Sequence, residues 1–159
     1  MQRIGSGTDV HRLVAGRKLI LGGVEIESDL GAEGHSDADA LTHAITDSIL
    51  GALALGDIGT HFPNSDERWQ NAESFVFLRY AVGLMKEHGY GVANVDSTIH
   101  LESPKIGSYV ERMRVGLAEA LEVETSALSI KAKTGEAVDA VGERRAVRAD
   151  AIVLLQKSN

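Results

Sequence analysis

The chain has 159 residues, 43% of them hydrophobic, a formal net charge of −7 and no cysteine. That length can bury about two-thirds of its unfolded surface in one core, so a single domain over residues 1–159 is expected. The acidic balance opposes a nucleic-acid partner, which requires a basic face, and the missing cysteines exclude disulfides, thiolate metal ligands and cysteine nucleophiles.

Residues 2–14 read as a strand centred on Arg3 to Val10, and Lys18 to Ile26 reads as hairpin material with a bulge or bend at Gly22-Gly23. A glycine-containing loop covers Ser28 to Ser36. Asp39 to Leu55 then carries Leu41, Ile45, Ile49, Leu50 and Leu53 at the helical period, with Asp37 or Asp39 as its cap. The stretch from Gly56 to Arg68 is irregular and long for a plain connector, which marks it as functional. A second helix spans Ala72 to His88, with Phe75, Leu78, Val82 and Met85 on its apolar stripe and Gly89 just past its end. Val92 to Leu101 alternates as a strand. Pro104 suits the first turn of a third helix reaching Leu121. Leu128 to Lys133 and Ala146 to Gln156 are two further strands, joined by a polar turn from Gly135 to Arg145. This order predicts an α+β fold, a two-layer sandwich in which helices cover one face of a mixed four-stranded sheet, with a β-hairpin added. No leader-like apolar region opens the chain and no stretch approaches ~20 apolar residues, so no membrane partner is expected and a cytoplasmic location follows.

Asp9 and His11 are two apart on a strand, so they project from the same face with Cβ atoms about 6–7 Å apart, close enough to share a cation. His43, on the first helix, can complete a site of one carboxylate and two imidazoles. Such a set suits zinc and leaves a tetrahedral position open, the arrangement of a catalytic ion. His35, Ser36, Asp37 and Asp39 crowd the approach to that helix, and Asp47, one turn beyond His43, is placed to orient it. His61, His88 and His100 have ordinary structural explanations.

Gly7-Thr8-Asp9-Val10-His11, Gly34-His35-Ser36-Asp37, His43 and Leu55-Gly56-Asp57-Ile58-Gly59 with Phe62-Pro63 occur in an order and spacing that resembles the 2-C-methyl-D-erythritol 2,4-cyclodiphosphate synthase family. The resemblance extends through Ser103-Pro104-Lys105 and the strand end from Lys131 to Glu136. It implies a homotrimer with active sites between adjacent subunits. The implied reaction converts 4-diphosphocytidyl-2-C-methyl-D-erythritol 2-phosphate into the cyclic diphosphate and CMP. The resemblance also implies Asp9, His11 and His43 as ligands of Zn2+, and Glu136 as ligand of Mg2+ or Mn2+ at the diphosphate. His35 and Thr134 become stabilisers of the transition state. Asp57, Ile58 and Gly59 would hold the ribose side. Leu101, Glu102, Ser103, Pro104, Lys105, Ile106 and Gly107 would form the cytidine pocket through backbone groups. Ser36, Phe62, Pro63, Asn64, Ser65 and Asp66 would hold the methylerythritol portion, and Lys133 and Gly135 flank Thr134 as further substrate contacts.

This chemistry fits the residue types. The nucleophile is the substrate's own phosphate, whose second pKa of about 6 leaves it largely ionised at neutral pH, so no general base is needed. The protein's task is positioning and charge neutralisation. The sequence departs from the family pattern at Asn64, where Asp is common, at Lys133-Thr134-Gly135, where threonines are common, and from Ala137 to Arg145, where Ala140 replaces an aromatic residue. The last segment faces a central cavity in trimers of the family, which can hold an isoprenoid diphosphate.

Overall fold

The first strand, β1 (Gln2–Val14), alternates in chemistry as strictly as in direction. Gly5, Gly7, Asp9, His11 and Leu13 share one face, and Ile4, Ser6, Thr8, Val10 and Arg12 share the other, which is exposed. On the first face the glycines let a helix lie against bare backbone. This is α1 (Ala40–Ala52), and a Cβ added to Gly5 would stand 1.8 Å from the Ser48 carbonyl oxygen, one added to Gly7 2.0 Å from that of Ala44. The structure is a computed structural model that describes residues 1–63 and 65–158.

Asp39 caps α1, accepting from the Thr42 amide at 3.0 Å and the Thr42 hydroxyl at 2.7 Å. Leu41, Ile45, Ile49 and Leu50 are fully buried, as their helical spacing predicts. The helix stops at Ala52, short of the expected Leu55, because Ala54 turns into the left-handed region at φ 60°. Asp39 also accepts the Gly22 amide at 2.9 Å and the Gly23 amide at 2.7 Å. Those glycines, at φ 55° and 73°, form the tight turn between β2 (Leu19–Leu21) and β3 (Val24–Ile26) and are no bulge within a strand. One buried carboxylate therefore fixes both the start of α1 and the tip of the hairpin.

Downstream, the irregular segment contains the short helix α2 (Ile58–His61), capped by Asp57, and a 3-10 turn at Glu67–Trp69. α3 (Ser74–Glu87) follows, then a strand, Tyr90–His100, and α4 (Val110–Leu121). α4 starts later than expected from Pro104, since the chain from Leu101 onward stays tied to the neighbouring strand. Leu101 N–H donates to Lys133 O at 2.9 Å and Gly135 N–H to Glu102 Oε2 at 2.8 Å, so Gly107–Tyr109 forms a 3-10 turn before the helix begins.

Among the described residues the sheet has five strands where four were expected. β4 (Gly31–Ala32) adds an edge by pairing with Leu13 and Val14, and it is too short to leave a sequence pattern. The remaining strands are β5 (Tyr90–His100), β6 (Leu128–Lys133) and β7 (Ala146–Lys157), giving the order β4-β1-β7-β5-β6 with only β5 and β6 parallel. A short helix, α5 (Asp139–Gly142), occupies the turn expected before β7. Val147, Ala149, Val153 and Leu155 of β7 face the helices and are buried, whereas Ile4, Val10 and Ile152 stand on the opposite, uncovered face at 73%, 61% and 55% exposure. The α+β two-layer architecture is therefore as expected. No helix among the described residues is long and apolar enough to cross a membrane.

Replacing Gly7 by alanine should force α1 off the strand and lower stability by about 1–3 kcal/mol, the usual cost of overpacking. A urea-unfolding midpoint equal to that of the native chain would contradict the close approach.

Candidate metal centre and active site

Asp9 and His11 leave β1 on the face that α1 covers, and His43 reaches them from the first turn of that helix. Asp9 Oδ2 lies 2.7 Å from His11 Nε2 and 3.0 Å from His43 Nδ1, and the two nitrogens are 3.4 Å apart. A tetrahedral zinc ion separates its ligand atoms by about 3.3 Å, so this triangle needs only small adjustment to grip one. It is the group of such ligands that the described residues bring together. One carboxylate and two imidazoles, partly exposed and facing a pocket, fit zinc.

The nitrogens turned away from the triangle are also engaged. His11 Nδ1 lies 2.9 Å from the Glu33 carbonyl, which can only accept, so the Nε2 lone pair is left for the ion. His43 Nε2 lies 2.7 Å from Ser74 Oγ and 3.2 Å from Ser36 Oγ. Asp47, read from sequence as the partner of His43, instead accepts the Ile58 amide at 2.8 Å and so secures the start of α2. Burial raises the pKa of Asp47, with the charges of Asp57 and Asp9 adding to it against the Ile58 hydrogen bond. At Asp9 burial acts in the same direction, but hydrogen bonds from His11 and His43 prevail and hold its pKa down at about 2. Burial lowers the pKa of His11, and its hydrogen bond and attraction to Asp9 outweigh this, leaving it raised.

The triad opens into a cavity of about 310 Å³ that His35, Ser36, Asp57, Ile58 and Gly59 help to line. Asp57 accepts the Thr60 amide at 2.8 Å, and that hydrogen bond with the Thr60 hydroxyl's lowers its pKa. His35 Nε2 contacts the Asp66 carbonyl at 3.3 Å. The apolar wall is Phe62 with Trp69 and Phe77, whose ring centroids lie 4.9 and 4.7 Å from that of Phe62. Sequence reading included Phe62 but missed Trp69 and Phe77. The sole tryptophan of the chain, inside the long irregular segment, was the available signal.

Pro63, Ser65 and Asp66 are not part of this lining, and Asn64 lies outside the described residues. The Asp66 carboxylate caps the 3-10 turn and pairs with Arg68, whose hydrogen bonds lower its pKa to about 2. A second group of expected site residues gathers elsewhere. Leu101 and Glu102 are bound to Lys133 and Gly135 as described above, and Thr134 Oγ1 donates to Glu136 Oε1 at 2.8 Å. Leu101 and Ile106 are buried and Lys105, Gly107, Lys133, Thr134 and Glu136 are exposed, while Ser103 and Pro104 are intermediate. This group sits at the end of β6, three strand positions from β1, or about 14 Å across the sheet. Within one chain, then, Thr134 and Glu136 do not join the triad.

The other histidines hold structural contacts, as read from sequence. His61 Nε2 is 2.9 Å from Leu55 O, His88 Nδ1 2.8 Å from Leu84 O, and His100 Nε2 2.9 Å from Asp150 Oδ2.

Comparison with known proteins agrees over nearly the full length. Residues 2–156 match the YgbB family. The 2-C-methyl-D-erythritol 2,4-cyclodiphosphate synthase of Solibacter usitatus is 56% identical over 155 residues, 98% of each chain. A structure of IspF from Plasmodium falciparum in a CDP complex superposes with a TM-score of 0.89 at 37% identity, covering 99% of this chain and 97% of that one. The bifunctional IspDF of Campylobacter jejuni gives a TM-score of 0.96 at 33% identity, with this chain spanning 43% of it. Because the family model spans residues 2–156 and the fold superposes along its whole length, the chain belongs to the YgbB family.

Proposed function

We propose that the protein cyclises 4-diphosphocytidyl-2-C-methyl-D-erythritol 2-phosphate to 2-C-methyl-D-erythritol 2,4-cyclodiphosphate and releases CMP. The observation that carries this reading is the convergence of Asp9, His11 and His43 at the edge of a pocket shared with His35 and Ser36. A zinc ion at the triad, with Mg2+ or Mn2+ at Glu136, would supply Lewis-acid neutralisation of phosphoryl charge. Ser36, Phe62, Trp69 and Phe77 hold the methylerythritol portion and exclude water. Asp57, Ile58 and Gly59 meet the ribose side. Leu101 and Ile106 bury their side chains, so that segment offers the cytosine chiefly its backbone amides and carbonyls. His35 and Thr134 stabilise charge as the phosphate oxygen attacks. That oxygen belongs to the substrate and is already ionised, so no residue of the chain need remove a proton.

A single chain leaves this machinery in two parts, three strand positions apart on one sheet. The two parts complete each other if the β1 side of one copy meets the β6 side of the next, a head-to-tail contact that closes into a ring. The uncovered sheet face supplies a second reason to assemble, since Ile4, Val10 and Ile152 present apolar surface that the chain itself does not cover. A homotrimer satisfies both requirements.

Phosphorus NMR should find the cyclic diphosphate and CMP when protein and substrate are mixed, no turnover after chelator treatment, and recovery on adding zinc and magnesium. An acyclic phosphate product would identify a metal-dependent hydrolase instead. His43→Ala should keep the fold by circular dichroism and lose at least about 10²-fold in turnover, the scale of removing one electrostatic stabiliser.

Light scattering in solution should give three times the 16.9 kDa chain mass. Ile152→Glu, which places charge on the uncovered face, should shift that mass toward the monomer. A native chain that stays monomeric at all concentrations would refute the shared-site arrangement.

A further inference from the structure

Ser74 is the first residue of α3 and is fully buried, and it does not line the substrate pocket. Its hydroxyl donates to Asp37 Oδ1, and its amide donates to Asp37 Oδ2 at 3.0 Å. Asp37 thereby serves as the cap that Glu73, the residue preceding the helix, does not provide. Asp37 is itself held, its amide donating to Ala72 O at 3.1 Å and its Oδ1 accepting the Asp39 amide at 3.2 Å.

A hydroxyl has one proton to give, and an ionised carboxylate can only accept. With that proton committed to Asp37, Ser74 Oγ presents a lone pair to His43 Nε2, 2.7 Å away. Nε2 must then carry hydrogen, which in a neutral imidazole leaves the lone pair on Nδ1, facing Asp9 and His11. Metal-bound histidines commonly obtain this orientation from a carboxylate or carbonyl directly. Here a serine stands between the carboxylate and the ring.

We infer that Ser74, held by Asp37, is a positioning residue that fixes the tautomer and ring direction of His43 and so sets the metal affinity of the triad. The inference rests on the metal-centre reading given above. Two pulls meet at His43: Asp9, 3.0 Å from Nδ1, favours a proton there in the absence of metal, whereas the Asp37–Ser74 pair favours it on Nε2. Ser36 Oγ, at 3.2 Å and already accepting the Ala38 amide at 3.3 Å, offers Nε2 a second acceptor, so loss of Ser74 weakens the bias without erasing it. The relay also joins three segments: the loop bearing His35 and Ser36, the N-terminus of α3, and the face of α1 that carries His43.

The test is zinc affinity, measured by competition with a chromophoric chelator, on native protein, Ser74→Ala and Asp37→Asn, with unfolding of the metal-free proteins followed in parallel. Ser74→Ala should weaken zinc about 10–100-fold, the range for loss of an orienting partner. Asp37→Asn should weaken it by less, because its amide keeps one acceptor for the serine. If Ser74→Ala does not fold, Asp37→Asn carries the same measurement. A zinc affinity within about twofold of native in a folded Ser74→Ala protein would overturn the inference, being below the expected range. The second readout is long-range proton–nitrogen NMR of the His43 ring in metal-free protein, which reports which ring nitrogen carries hydrogen. The native spectrum should show hydrogen on Nε2, and Ser74→Ala should move it toward Nδ1. An unchanged tautomer would count against the relay even if the native chain bound no zinc, an outcome that would separately remove the metal-centre reading.

Discussion

The structure depends on one close contact, the seating of α1 on the bare backbone of β1. Because Gly5 and Gly7 have no side chains, the strand meets Ser48 and Ala44 of the helix at distances that a Cβ would close completely. The two elements also advance in step. Two strand residues rise about 6.6 Å and four helix residues about 6.0 Å, so Gly5 opposite Ser48 and Gly7 opposite Ala44 continue naturally to Asp9 beside the first turn of α1. That is where His43 lies. The three candidate ligands meet because glycines two and four residues earlier permit the approach, and Asp39 ties the helix start to the hairpin turn.

The sequence was most legible where chemistry and periodicity coincide. The alternation of β1, the apolar spacing of α1 and α3, and the capping aspartate of α1 each leave a local pattern that the fold follows. Asp9, His11 and His43 were readable for the same reason, being uncommon residue types on predictable faces. The failures share a cause as well. β4 is two residues long and exists only because Leu13 and Val14 offer it an edge. Asp47 is one helical turn from His43, yet its carboxylate is spent on the Ile58 amide, a partner that helix spacing does not reveal. Ser74 drew no notice in the sequence, and its contact with a residue 31 positions away appears only when α3 packs beside α1. The start of α4 shifted because the segment after β5 is held by hydrogen bonds to the end of β6 and so cannot begin a helix at Pro104.

The remaining constraint is electrostatic. The pocket is lined by Asp9, Asp47 and Asp57 in a chain whose net charge is already −7, and the raised pKa of Asp47 reflects that crowding beside its burial. A substrate carrying a phosphate and a diphosphate would meet repulsion from all three carboxylates. Lys133 offsets little of this, since it is exposed at the end of β6, three strand positions from β1. The same carboxylates that repel the bare anion attract divalent cations, and the ligand triangle gives one of them a defined seat. On the proposed reading, the acidity of the pocket therefore enforces order: cations first, polyanion second, with the substrate drawn to metal charge where the protein alone would reject it. On the same proposed reading the division of the site between β1 and β6 extends the logic, because full neutralisation would be reached only where two copies meet, so that one contact would serve both assembly and substrate binding.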